Sequence, residues 1–150
     1  MLIGVISDTH GTVHPSVAAI FEGVDRIIHA GDVGSRRVLD ELELIAPVIA
    51  VRGNMDTGEL AWRLQDTAMV RAGECRVLVV HKVEDIARGS GPDASVVVSG
   101  HTHRARIETR KGVLYVNPGP AGSDGRDGRG PTVALLDCTV HPPQARIIDL

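Results

Sequence analysis

Two histidines, His101 and His103, stand two residues apart just after the run Val96-Val97-Val98-Ser99-Gly100. In an extended segment, positions i and i+2 share a side, so the two imidazoles are presented together past a strand end, which suits a metal ion. For this stretch alone the alternative is a solvated turn that happens to hold two histidines. The chain repeats the device at its start. The apolar run Leu2–Ile6 ends in Ser7-Asp8-Thr9-His10-Gly11, with Asp8 and His10 again two apart. Three further runs end in donors: residues 26–30 lead to Gly31-Asp32, residues 47–52 to Gly53-Asn54, and Cys75–Val80 to His81.

In open α/β sheets, sites are assembled at the carboxyl ends of the strands. If these ends converge, Asp8, His10, Asp32, Asn54, His81, His101 and His103 meet in one place. That is too many donors for one metal with an open position, and it fits two metals sharing a carboxylate. Carboxylate, imidazole and amide donors suit Mn²⁺, Fe or Zn²⁺ better than the oxygen-only cages of Ca²⁺, and no thiolate selects a softer metal. Two divalent ions facing two carboxylates leave a positive site that attracts phosphate.

The elements that must position these donors are read from apolar periodicity. Val17, Ile20, Phe21 and Val24 follow Pro15 at helical spacing and predict a helix burying one face. Val38, Leu39, Leu42 and Ile45 form a stripe on a helix over 35–45. Strand, helix, strand, helix, strand argues for parallel pairing with crossover helices. Residues 57–66 are less regular, with a helical turn carrying Trp62. Strands follow at 67–71 and 75–80, a short helix within 82–91, and strands at 95–99, 104–110, 113–116, 132–137 and 144–150. Lys111-Gly112 reads as a hairpin turn, and the second half is expected to be largely antiparallel. The Gly-rich segment 118–131, with Arg126, Asp127 and Arg129, is expected to be a mobile loop.

Composition sets the bounds. The 150 residues read as one domain, 1–150, able to bury about two-thirds of its unfolded surface. Aromatics are only 2% of the chain, so the core must be built from Val, Ile, Leu and Ala. A formal net charge of -3 argues against general nucleic-acid binding. Cys75 and Cys138 fit no zinc spacing and read as buried thiols in a reducing compartment. The chain enters a strand directly, without a basic leader or long apolar stretch, so a soluble cytoplasmic protein with no membrane partner is expected.

The ordered series Asp-x-His, Gly-Asp, Gly-Asn-x-Asp, His, Gly-His-Thr-His and Asn-Pro-Gly, running from Asp8 to Gly119, resembles the calcineurin-like metallophosphoesterases. The short chain and the Gly-Asn-x-Asp form are similar to small phosphodiesterases of the YfcE type. The resemblance implies a four-layer α/β/β/α sandwich of two mixed sheets. It implies one metal held by Asp8, His10, Asp32 and His103, and a second by Asp32, Asn54, His81 and His101, with Asp32 bridging. The implied enzyme is a phosphodiesterase or phosphatase that hydrolyses a small phosphate ester through a hydroxide activated by two divalent ions roughly 3.5–4 Å apart. Asp32 and Asn54 are its candidate catalytic residues, with no clear general acid. Mn²⁺ is expected first, with Fe, Zn²⁺, Ni²⁺ or Mg²⁺ as alternatives. The alternatives on function are a non-catalytic interaction scaffold of the same fold, as in retromer, and a nucleotide-specific phosphohydrolase. Homo-oligomerisation is left open.

Three positions depart from the family pattern. Met55 stands where larger members carry a histidine that contacts phosphate, so no proton donor is available there. Lys82 follows His81 where Gly is usual, and Pro120 follows Gly119 where Ser is usual. Arg52, and Asn54 beside it, are candidates for contact with the substrate phosphate; for Arg52 the alternative is a charge at a strand end. Asp56 is expected to cap a turn or orient Asn54. His29 is expected to support the ligands rather than join them. Trp62 is expected to pack in the core, with stacking on a base or packing at an interface as alternatives.

Overall fold

In the computed structural model, which describes residues 1–86, 93–123, 125–126 and 128–150, the first half of the chain alternates as its periodicity predicts. Strands β1 (Leu2–Ile6), β2 (Arg26–His29) and β3 (Val48–Ala50) are linked through helices α1 (Val17–Ile20) and α2 (Arg36–Glu43). Helix α3 (Gly58–Arg63) leads to β4 (Thr67–Ala72), β5 (Cys75–Val80), β6 (Val96–Val98), β7 (Arg106–Arg110) and β8 (Val113–Asn117). The chain closes with β9 (Thr132–Asp137) and β10 (Gln144–Asp149).

These strands form two five-stranded sheets among the described residues, ordered β10-β9-β1-β2-β3 and β4-β5-β6-β8-β7. Alternation along β1 serves two cores at once. Ile3 and Val5 point between the sheets, against Val77, Val79, Val96 and Val98. Ile6 points the other way, into a layer with Val17, Phe21, Val38 and Leu42. Neighbouring β2 does the same with Ile28 and Ile27. The result is two mixed β-sheets flanked by helices, the α/β/β/α architecture expected. No helix among the described residues is long and apolar enough to cross a membrane.

Several local expectations need correction. The antiparallel pairing expected of the second half holds for β4–β5, β7–β8 and β9–β10, and β9 also pairs antiparallel with β1, but β5 and β8 both pair parallel with β6. The hairpin β7–β8 turns its apolar strand inward and leaves the charged strand Arg106–Arg110 at the edge, where charge blocks further pairing. Its turn, Lys111-Gly112, has positive φ at both residues, as a two-residue hairpin loop demands.

Helix α1 has only four residues, because the chain leaves the helix at Phe21 and turns through Gly23 at φ 79°. Val17, Phe21 and Val24 are nonetheless buried. Trp62 is 88% exposed rather than in the core. Helix α3 buries Leu60, and a residue two positions further along a helix faces away. The short helix expected within 82–91 is a 3₁₀ turn, Val83–Asp85, and residues 87–92 lie outside the described residues. Cys75 and Cys138 are free and buried, as expected.

Candidate metal centre

All five strand ends named from the sequence deliver their donors to one end of the two facing sheets. The first three loops run side by side. Asp8 N–H donates to Gly31 C=O (3.0 Å), His10 N–H to Asp32 C=O (3.1 Å) and Gly11 N–H to Val33 C=O (2.8 Å), extending the β1–β2 pairing past the strands. From the second sheet, Gly100 N–H donates to His81 C=O at 3.0 Å. Two glycines let these loops approach. A Cβ on Gly53 would lie 2.1 Å from the Asp32 amide nitrogen, and one on Gly100 would lie 2.8 Å from Asp8 Oδ2.

Backbone strain marks the same residues. Among the described residues six non-glycines have φ in the left-handed region, and five are Asp8, His10, Asp32, His101 and His103. Such conformations cost on the order of 1 kcal/mol each and persist only where surrounding structure enforces them. Five at one strand-end cluster, with the sixth in a hairpin turn, mark a site that the fold holds under strain.

Ligating atoms fall into two groups, Asp8 with His10 and His103, and Asp8 with Asp32 and His81, each within 4.8 Å. Asp8 belongs to both. In the first group, His103 Nε2 lies 3.3 Å from Asp8 Oδ1 and 3.5 Å from His10 Nε2. In the second, His81 Nε2 lies 3.4 Å from Asp32 Oδ2 and 3.1 Å from Asn54 Oδ1. His81 Nδ1 is 2.7 Å from Ala30 C=O, so Nδ1 donates there and Nε2 faces the site. The His101 ring stands edge-on to His81, with centroids 5.2 Å apart.

Nitrogen and oxygen donors this close together suit a divalent ion. Asp8 shows it most plainly. Its Oδ2 accepts from Ser7 Oγ (2.6 Å) and His101 N–H (3.2 Å), while Oδ1 is buried with no hydrogen-bond partner. Burial raises the Asp8 pKa despite the Ser7 hydrogen bond. Burial acts in the same direction on Asp32, but hydrogen bonds from His81 and from Met55 N–H (2.8 Å) outweigh it and hold that carboxyl below its usual range. For His81, burial is outweighed by Asp32 and its pKa rises. His101 is lowered by burial and by the nearby His81 and Lys82 charges. An orphaned buried carboxylate oxygen amid nitrogen and oxygen donors is the setting a divalent ion fits.

Supporting residues surround the donors. His29 is fully buried and its two nitrogens are both engaged, Nδ1 by Gly31 N–H (3.2 Å) and Nε2 with Thr9 Oγ1 (2.9 Å). Burial drives its pKa down to about 3, so it is neutral, and the engagement of both nitrogens keeps it from serving as a ligand. Asp56 accepts from Gly53 N–H (2.8 Å) and Gly34 N–H (2.9 Å), tying the Asn54 loop to the Asp32 loop. Arg52 is turned toward Asp66 (2.5 Å) and Ala61 C=O (3.0 Å), the strand-end role that was its alternative. Met55 is 60% exposed beside the site.

Sequence reasoning missed Ser7 and gave Asn117 no task. Asn117 Nδ2 donates to Gly100 C=O (2.8 Å) and Thr102 Oγ1 (3.1 Å), and its Oδ1 accepts from Gly119 N–H (3.0 Å), clamping the loop that carries His101 and His103. The quoted Asn-Pro-Gly motif was the available signal. The Gly-rich segment is tied to the site by Gly122 N–H on Asp8 C=O (3.2 Å) and Arg126 N–H on His103 C=O (2.8 Å). Asp124 and Asp127 lie outside the described residues.

The profile of the calcineurin-like phosphoesterase superfamily domain matches residues 1–141. The chain belongs to that superfamily. Among curated members, a probable metallophosphoesterase of Methanocaldococcus jannaschii is 36% identical over 135 residues, covering 79% of this chain and 67% of that one. A solved archaeal phosphodiesterase is 31% identical with a TM-score of 0.79, covering 99% of this chain and 100% of that one. Wild-type Vps29 of Entamoeba histolytica, solved with zinc, shares the fold at 21% identity and a TM-score of 0.75, over 99% of each chain. Family and donor clusters together support a metal-dependent phosphoesterase.

Proposed function

We propose that the chain is a dinuclear phosphodiesterase of the YfcE type that hydrolyses a small phosphate ester. The observation that carries the proposal is the buried Asp8 Oδ1, without a hydrogen-bond partner, at the junction of two donor groups. Asp8, His10, Asp32 and His103 would hold one ion, and Asp32, Asn54, His81 and His101 the other, with Mn²⁺ first among Mn²⁺, Fe, Zn²⁺, Ni²⁺ and Mg²⁺. When bound, two such ions supply Lewis acidity that lowers the pKa of water and neutralises charge on phosphate oxygens.

The chain's own residues do the positioning. Asp32 stays ionised because His81 and the Met55 amide hold its proton affinity down. Ala30 C=O fixes the His81 ring, and Asn54 Oδ1 is placed beside His81 Nε2. Asn54 and Asp32 therefore meet the reacting phosphate from one side, with Met55 at the rim. No side chain at Met55 can pass a proton to a leaving oxygen.

Substituting Asp32 by Ala tests the assignment. Metal content per chain is expected to fall and turnover to drop nearly to background, while a melt in chelator shows the variant folded. A variant with wild-type turnover and full metal content would overturn the assignment.

A further inference from the structure

The helical layer over the first sheet is incomplete at its β3 edge. β3 is the outermost strand there, and Val48 and Ala50, which face the helices, are only half-buried. A groove of about 180 Å³ opens between α2 and α3, floored by Val48, Ala50, Leu39, Leu60 and Leu64. None of the metal donors lines it. Pockets for small ligands run to about 300–1,000 Å³. This groove is too small for such a ligand and large enough for one bulky side chain.

The same two helices carry the largest exposed apolar side chains. Among the described residues, Trp62 on α3 and Leu44 at the end of α2 are the most exposed large hydrophobics, each at 88%. A solitary apolar residue on a surface is ordinary. Here a groove with an apolar floor lies on the same helix as an exposed indole. Trp62 is also the only tryptophan, in a chain with one Tyr and one Phe besides. Trp has the most area to gain from burial and is enriched where interfaces are held together.

The rim says what kind of partner fits. Arg36, Glu43, Glu59 and Arg63 surround the floor. Arg63 pairs with Glu59 at 2.9 Å and Arg36 with Asp40 at 2.8 Å, and Glu43 and Glu59 both act on the Arg36 charge. Two cations and two anions balance. A rim of one sign repels its own copy, whereas a balanced rim around an apolar centre can meet its copy with arginine over glutamate. Knob and hole belong to one helix. A single twofold rotation that seats one indole in the other copy's groove therefore seats the second as well, and the contact closes as a pair.

We propose that this face binds a second copy of the chain, with the Trp62 of each copy seated in the α2–α3 groove of the other. The leucines and β3 residues of the floor pack on the indole, and the rim arginines bring cations to its face. The proposal is independent of the metal centre and its chemistry.

The single tryptophan makes the contact directly readable. Emission from Trp62 and the sedimentation coefficient are followed together as the full chain is diluted from about 1 mM to about 1 μM, a span that covers weak to moderate dimers. At the top of the range a dimer with blue-shifted emission is expected. Trp62→Ala is expected to weaken association at least about a hundredfold, because each pair loses two anchors. Ala50→Leu fills the groove and keeps the reporter, so it is expected to sediment as a monomer with the emission of a solvated indole. Melts check that both variants are folded. A dimer whose emission stays at the solvated position, or association that neither folded variant weakens, overturns the proposal. A monomer with solvated emission across the whole range overturns it too, and leaves the groove to a different protein.

Discussion

At the residue scale, the site is legible because its donors are chemically conspicuous and each follows a short apolar run. Asp8, His10, Asp32, Asn54, His81, His101 and His103 are all at strand ends, and six belong to two-residue spacings or follow a glycine. The residues that hold them are quieter in sequence. Ser7 looks like any serine before an aspartate, yet its hydroxyl takes one oxygen of Asp8 and leaves the other exposed to the centre. His29 shows how similar residues diverge by environment. Its folded pKa of about 3, against 6.5 in an unfolded chain, means that the unfolded state binds a proton the folded state refuses between those values. Stability is therefore complete above pH 6.5 and falls as pH drops toward 3, by up to about 1.4 kcal/mol per pH unit. Denaturant melts in chelator should show His29→Gln to be less stable at neutral pH but with a pH slope shallower by up to one proton. Identical slopes would contradict the buried neutral histidine. Met55 carries a separate prediction. With no proton donor there, aryl phosphodiesters should be hydrolysed much faster than alkyl ones, and equal rates would show that another group supplies the proton.

At the element scale, periodicity located the strands and the α2 helix well, because each buries a regular set of apolar residues. It failed where length or neighbours decide. The stripe from Val17 to Val24 is apolar at helical spacing, but Gly23 ends it in a turn. The parallel placement of β8 beside β6 was not legible, since strand pairing depends on which strand of a hairpin tolerates solvent. Asn117 at the end of β8 is where this placement reaches the site, because β8 must lie beside β6 for its amide to clamp the Gly100 loop. Asn117→Ala frees the carbonyl of Gly100 and the loop bearing His101 and His103. Supporting contacts of this kind are worth roughly 10–100-fold in metal affinity, so a Mn²⁺ titration should show a loss of that order with the fold intact. Unchanged affinity would mean the loop is held by its strand pairing alone.

At the scale of the whole molecule, the two sheets do one thing that neither does alone. The first brings Asp8, His10, Asp32 and Asn54, and the second brings His81, His101 and His103. Their packing through a shared Val, Ile and Leu core sets the 3.3 Å and 3.4 Å approaches of histidine to carboxylate across the interface. The convergence was inferable from strand ends, but a cavity beside it, lined by Arg104, Arg106, Arg110 and Arg126, was not: Arg106 and Arg110 lie on the edge strand β7, Arg104 just before it and Arg126 in the Gly-rich segment, where they read in sequence as ordinary solvent-facing charge. The central claim is that this convergence makes a metal-dependent phosphodiesterase. Hydrolysis of bis(p-nitrophenyl) phosphate by metal-stripped protein, with and without added Mn²⁺, tests it most directly. Negligible turnover without metal and restoration by Mn²⁺ is the result predicted here; no turnover from folded protein with any divalent ion, or full turnover in the presence of chelator, would contradict it.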